Sequence, residues 1–161
     1  MKNCIDVKTD EVKLATAKDE VIGISSLGPC IGILFYQPNH KITIVAHVSS
    51  SNIWENKIKQ KIDDYLNNIY ILNNEKLKYL IIPGYMENEK LFNSICQYIK
   101  EKLPQLKRFK TKEIPNNSIK TWRINETEGS REFAFNIKTG SFITDKVNYI
   151  QLSNKSTGLK K

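Results

Sequence analysis

The chain has 161 residues, 40% of them hydrophobic and 26% charged, with 25 lysines and arginines against 17 acids for a net charge of +8. That length suits one hydrophobic core rather than two, and no run of about 18 apolar residues occurs, which excludes a membrane-spanning helix. The positive charge is almost all lysine, whereas sequence-specific nucleic-acid sites lean on the planar arginine fork, so the composition argues against a nucleic-acid partner.

The start, MKNCIDVKTDEVK, lacks the apolar centre of a secretory signal peptide. We expect a loose polar arm or an edge segment over residues 1–19, with a short strand at Glu11 to Ala15 and the core beginning near Val21. Three β-rich stretches follow: Val21 to Ile24, Cys30 to Tyr36 and Ile42 to Val48, broken by SSLGP and QPNHK. Trp54, Ile58, Ile62, Tyr65, Leu66 and Ile69 recur at helical spacing, and Asn52 with Glu55 resembles a capping box opening that helix. Lys78 to Ile82 reads as a buried strand ending at Pro83-Gly84. A second helix is expected from Asn88 to Leu103, with Leu91, Phe92, Ile95, Ile99 and Leu103 on one face and Cys96 as a small core side chain. The rest reads as strands: Lys107 to Ile114, Ile119 to Ile124, Glu132 to Ile137 and Ser141 to Val147. Thr139-Gly140 marks a tight reversal in which Gly140 takes a positive φ. Lysines in the KRFKTK segment (107–112) are expected to guard an edge strand, and residues 151–161 form a polar, basic tail. The chain thus reads as a single domain over 1–161 with its core at about 11–150.

The three cysteines, Cys4, Cys30 and Cys96, are odd in number and lack a C-x-x-C spacing. Neither a disulfide framework nor a zinc site is suggested, no metal or cofactor is expected, and a reducing, cytosol-like interior fits. Cys30 and His47, seventeen positions apart, flank the QPNHK turn. If Gln37 to His40 form the loop and Tyr36 pairs with Lys41, then Leu34 meets Thr43, Gly32 meets Val45 and Cys30 meets His47. Directly opposed Cβ atoms lie about 4.5–5.5 Å apart, within reach of a thiol–imidazole hydrogen bond. On the other face Ile31, Ile33 and Phe35 join Ile42, Ile44 and Ala46 in an apolar surface. A thiol activated by an adjacent histidine is a nucleophile, and Leu27-Gly28-Pro29 would set Cys30 at an open sheet end. Pro29 has no N–H, so oxyanion donors would come from Cys30 and a group elsewhere. The alternative is two packing side chains that share a face, since buried cysteine is usually a small hydrophobe. His40 reads as a turn residue.

Leu27-Gly28-Pro29-Cys30, followed by Ala46-His47, resembles the CheD family of chemoreceptor glutamine deamidases and, more distantly, the catalytic domain of cytotoxic necrotizing factor. A second segment, Arg131-Glu132-Phe133-Ala134-Phe135-Asn136-Ile137-Lys138-Thr139-Gly140, is similar to the family's late arginine, strand and threonine-glycine turn. The resemblance spans roughly Val21 to Val147 and implies an α+β sandwich of mixed β-sheets flanked by helices. It also implies a cysteine hydrolase in which Cys30 attacks the side-chain amide of a glutamine exposed on a partner protein, His47 acts as acid and base, and no cofactor takes part. The family often has a threonine six residues before its cysteine, where this chain has Ile24. Ser26 is then a candidate group for orienting the imidazole, and a main-chain carbonyl, as the toxin relatives imply, would serve as well. The loops after His47 and around Ile82-Pro83-Gly84-Tyr85-Met86 depart from the family pattern. The target is accordingly expected to be either a chemoreceptor, for a protein that stays in the cytoplasm, or a host protein of a bacterial effector secreted without a signal peptide. Transglutamination through the same thioester, and an inactive binding module acting as a regulatory partner, are the other readings.

Overall fold

The structure, a computed structural model, describes residues 1–68, 76–102 and 104–151. It is an α+β sandwich of two mixed sheets, with helices packed on the outer face of one of them. The strands are β1 (Lys2–Asp6), β2 (Val12–Thr16), β3 (Val21–Leu27), β4 (Ile31–Gln37), β5 (Ile42–Val48), β6 (Lys78–Pro83), β7 (Lys107–Arg108), β8 (Lys120–Arg123), β9 (Gly129–Asn136), β10 (Ser141–Phe142) and β11 (Val147–Ile150). The first helix begins as α1 (Ser51–Ile53), passes through a π-helical stretch (Trp54–Ile58) and continues as α2 (Lys59–Asn68); α3 is Glu89–Lys102. No described helix is long and apolar enough to cross a membrane.

One sheet has the order β10-β9-β3-β1-β11, with β8 also paired to β9, and the other has the order β2-β5-β4-β6-β7. In the first, β1 runs parallel to both β3 and β11; in the second, only β7 is parallel to its neighbour. Alternation along β4 and β5 divides their side chains between two cores. Ile31, Ile33, Phe35, Ile44, Ala46 and Val48 pack with Trp54, Ile58, Ile62, Leu66, Leu91, Ile95, Tyr98 and Ile99 of the helices. Cys30, Leu34, Tyr36 and Val45 face the other sheet, where Ile22, Ile24, Leu27, Phe133 and Phe135 meet them.

Several expectations are corrected. The N-terminal segment is not an arm: β1 is an interior strand with Cys4 and Ile5 buried, because its edges are taken by β3 and β11. The core therefore begins at Cys4, well before Val21. The long strand expected at Lys107 to Ile114 is two residues of β7 followed by a 3₁₀ turn over Thr111–Glu113, since Glu113 caps Lys110 N–H and pairs with Lys78. The stretch Ser141 to Val147 divides into β10 and β11. The helix is capped not by Asn52 but by Ser50, whose hydroxyl accepts the Ile53 N–H. Cys96 is half-buried rather than core, and Tyr98 fills the interior position instead.

Other features agree. β2 lies at a sheet edge, as does β7, whose Lys107 and Arg108 are exposed. Gly140 has φ of 68° and donates its N–H to Asn136 O, closing the turn between β9 and β10. Ile69 and Leu103, assigned to helix faces, and the tail from 152 onward lie outside the described residues.

Candidate active site

The β4–β5 hairpin forms, with its register displaced from the expected one. Gln37 pairs with Ile42, Tyr36 with Thr43, Gly32 with His47 and Ile31 with Val48. Cys30 is therefore not directly opposite His47. The cause lies in the turn. Gln37 stays in the strand with its buried side chain accepting the His40 N–H, and Lys41, at φ of 52°, ends the loop instead of pairing. Both ends of the loop move by one residue, so every partner shifts by two. A two-residue shift preserves the face, and Cys30 and His47 remain on the same side as diagonal neighbours, about 7–8 Å apart at Cα. Gly32, between them, contributes no side chain.

His47 is held from three sides by the turn joining β1 to β2. Its N–H donates to Glu11 O (3.0 Å), its carbonyl accepts Asp10 N–H (2.6 Å), and its ring Nδ1 lies 2.9 Å from Val7 O. A carbonyl only accepts, so Nδ1 carries the proton of the neutral ring and Nε2 presents a bare lone pair. Nε2 is buried and has no hydrogen-bond partner among the described residues. Burial lowers the His47 pKa below 6.5, opposed by the Val7 bond and by the carboxylates of Asp6, Asp10 and Glu11. The ring is neutral at neutral pH.

Cys30 is 8% exposed, just before the first residue of β4. Burial raises its thiol pKa above the usual value, and the Asp10 carboxylate raises it further. At rest the thiol and the ring are both neutral, and the expected thiol–imidazole hydrogen bond is not formed, since Nε2 has no partner among the described residues.

Ser26 is exposed, beside an irregularity in the β3–β9 pairing between Ile24 and Leu27. The Nδ1 partner is the Val7 carbonyl, not the Ser26 hydroxyl. Ser25 instead bonds Asp6 through its N–H and hydroxyl. Ile24 is fully buried between the sheets and pairs with Phe133. Asp10 was not singled out from the sequence. Its carboxylate accepts the N–H and hydroxyl of Ser49, each at 2.9 Å.

The two segments that carry the family resemblance lie together, Leu27 pairing with Arg131 across β3 and β9. The Arg131 guanidinium donates to Pro83 O and Gly84 O, both at 3.2 Å. Tyr85 N–H and Met86 N–H donate to Leu27 O and Gly28 O. A Cβ on Gly84 would lie 2.1 Å from Gly28 O and 2.4 Å from Cys30 O, so only glycine allows this backbone approach. Asn88 completes the rim, its Nδ2 donating to Pro29 O (3.2 Å) and Ser49 O (3.5 Å). A separate surface cavity of about 350 Å³ between the helices, lined by Trp54, Lys59 and Tyr98 among others, shares no residue with this site. No group of metal-ligating side chains occurs among the described residues. No protein-family model and no curated protein sequence matches the chain.

Proposed function

We propose that the chain is a cysteine-dependent protein-glutamine deamidase, with Cys30 as nucleophile and His47 as general base and acid. The observation that carries this reading is the unpartnered Nε2 of a buried imidazole, on the face of Cys30, with its tautomer fixed by Val7 O. A buried acceptor left unpaired costs about 1–3 kcal/mol, and a reacting thiol that supplies the missing proton would offset that cost. Among the described residues four other buried polar atoms, on Gln37, Thr43, Trp54 and Ser118, are also unpaired, and Nε2 is the one that belongs to a general base.

The steps balance without a cofactor. Nε2 takes the Sγ proton as sulfur attacks the glutamine amide carbon, giving a tetrahedral oxyanion next to the Cys30 N–H. The imidazolium then protonates the amide nitrogen, the C–N bond breaks and ammonia leaves a thioester. Water, deprotonated by Nε2, attacks the thioester; the C–S bond breaks, and the imidazolium returns its proton to sulfur, leaving glutamate. The substrate is a glutamine exposed on another protein, either a bacterial chemoreceptor or a host protein.

The test is intact-mass analysis of such proteins after incubation with wild type, Cys30→Ala and His47→Asn. The expected result is amide-to-acid conversion by the wild type alone. Conversion of equal extent by Cys30→Ala would refute the mechanism, and an added primary amine found on the product would reassign the reaction to transglutamination. One observation favours a second reading, an inactive binding module: the thiol is largely buried and its ionisation is disfavoured. That reading requires wild-type Cys30 to react with iodoacetamide no faster than the His47→Asn variant at every pH.

A further inference from the structure

We propose that Asp10 is the positioning residue of the Cys30–His47 site, locking the strand end that carries His47 against the strand end that carries Cys30. The proposal rests on the reading of these two residues as a reacting pair. Asp10 joins two consecutive links. Its backbone N–H donates to the His47 carbonyl at 2.6 Å, and its carboxylate takes both the N–H and the hydroxyl of Ser49. Ser49 lies one step beyond the Ile31–Val48 pair, at the position facing Cys30, and Asn88 ties its carbonyl to Pro29 O. β4 pairs with β5 as far as Val48, but on the other side β2 pairs only as far as Ala46, so the bonds from Asp10 and Glu11 are what hold that edge of β5 at His47 and beyond.

Asp10 also has φ of 62°, a left-handed backbone that disfavours most side chains and that aspartate and asparagine tolerate best. That conformation turns the peptide N–H toward His47 while the side chain reaches Ser49. The same carboxylate acts electrostatically on both reacting groups. It favours the protonated imidazole, together with Asp6 and Glu11, and it disfavours the thiolate. Position and charge can therefore be separated by substitution.

The readout is iodoacetamide alkylation of the Cys30 peptide across pH, which needs no knowledge of the substrate. The wild type should have two limbs: an alkaline one from thiol ionisation and one at lower pH that His47→Asn abolishes. Asp10→Asn keeps the left-handed backbone, an acceptor for Ser49 N–H and, through its NH2, a donor to the Ser49 hydroxyl oxygen, but not the charge, so it should retain the His47-dependent rate and move both limbs to lower pH. Asp10→Gly relieves the backbone and removes both acceptors, and it should cut the His47-dependent rate about tenfold while circular dichroism reports an intact fold. Ser49→Ala leaves the charge in place, and it should lower that rate without moving either limb. If Asp10→Gly does not fold, Asp10→Asn and Ser49→Ala decide the matter. Unmoved limbs in the first and an unchanged rate in the second would overturn the role of Asp10. A wild-type rate in Asp10→Gly would overturn it alone, whereas a His47→Asn profile identical to the wild type would overturn the reacting pair and the Asp10 proposal together.

Discussion

His47 and Val7, forty residues apart in sequence, share one hydrogen bond of 2.9 Å between ring Nδ1 and a main-chain carbonyl, and that bond decides which ring nitrogen is free. Val7 is itself anchored, its N–H donating to Gly23 O of β3. The imidazole is thus referenced to both sheets, through its own strand in one and through Val7 in the other.

The buried ring has a consequence for stability against pH. Its folded pKa is depressed below the unfolded value, so the unfolded chain binds the extra proton first. The stabilisation from a neutral His47 is complete above about 6.5 and is lost as pH falls through the depressed folded value. Urea denaturation of the wild type should therefore give a midpoint that falls on acidification below about pH 6.5. In His47→Asn, whose amide can still reach Val7 O, that part of the fall should be missing. Parallel curves for the two proteins would mean that the ring is not held neutral.

Gly84 is the tightest backbone approach in the rim. In Gly84→Ala the new methyl meets the carbonyl oxygens of Gly28 and Cys30, so the 83–86 loop must withdraw and release its bonds to Leu27 O and Gly28 O. We expect a loss of about 3 kcal/mol or more, from overpacking together with stranded hydrogen-bonding groups. Arg131→Lys should cost about 1–2 kcal/mol, because the lysine side chain is one bond shorter and its ammonium falls short of the Nη1 position that donates to both Pro83 O and Gly84 O. Denaturant midpoints measure both, and a Gly84→Ala protein as stable as the wild type would contradict the contact.

Gly32 pairs with His47, and its position tests the register. An added Cβ would meet only side-chain tips, Ile24 Cδ1 at 3.1 Å, Leu27 Cδ1 at 3.3 Å and Phe133 Cε1 at 3.4 Å. Gly32→Ala should cost about 1 kcal/mol, while Gly32→Val should cost about 3 kcal/mol and slow Cys30 alkylation by crowding the gap between thiol and ring. In the expected register, with Val45 opposite Gly32, the added bulk would stand away from the ring. An alkylation rate unaffected by valine would point to that arrangement.

Much of the fold could be read from local pattern. α3 carries a helical periodicity that gives its apolar residues one face, and β4 and β5 are near-continuous apolar runs whose strand period of two divides them between two cores. That Cys30 and His47 share a face followed from parity alone, which is why a two-residue error in register left it intact. Their diagonal placement depended on Gln37 and Lys41, whose competing roles at the turn are settled by burial of one and left-handed geometry of the other. β1 and β11 had no such local mark. They pair in parallel with each other across nearly the whole chain, Lys2 against Val147, and a parallel ladder between distant segments leaves no signature in either. The orienting group of His47 was equally silent, since every residue has a carbonyl and only the packing of Val7 onto β3 selects this one. The sequence by itself determined which side chains go to which face. The tertiary structure decided which of them meet, because those meetings depend on backbone atoms and on contacts between residues far apart in the chain.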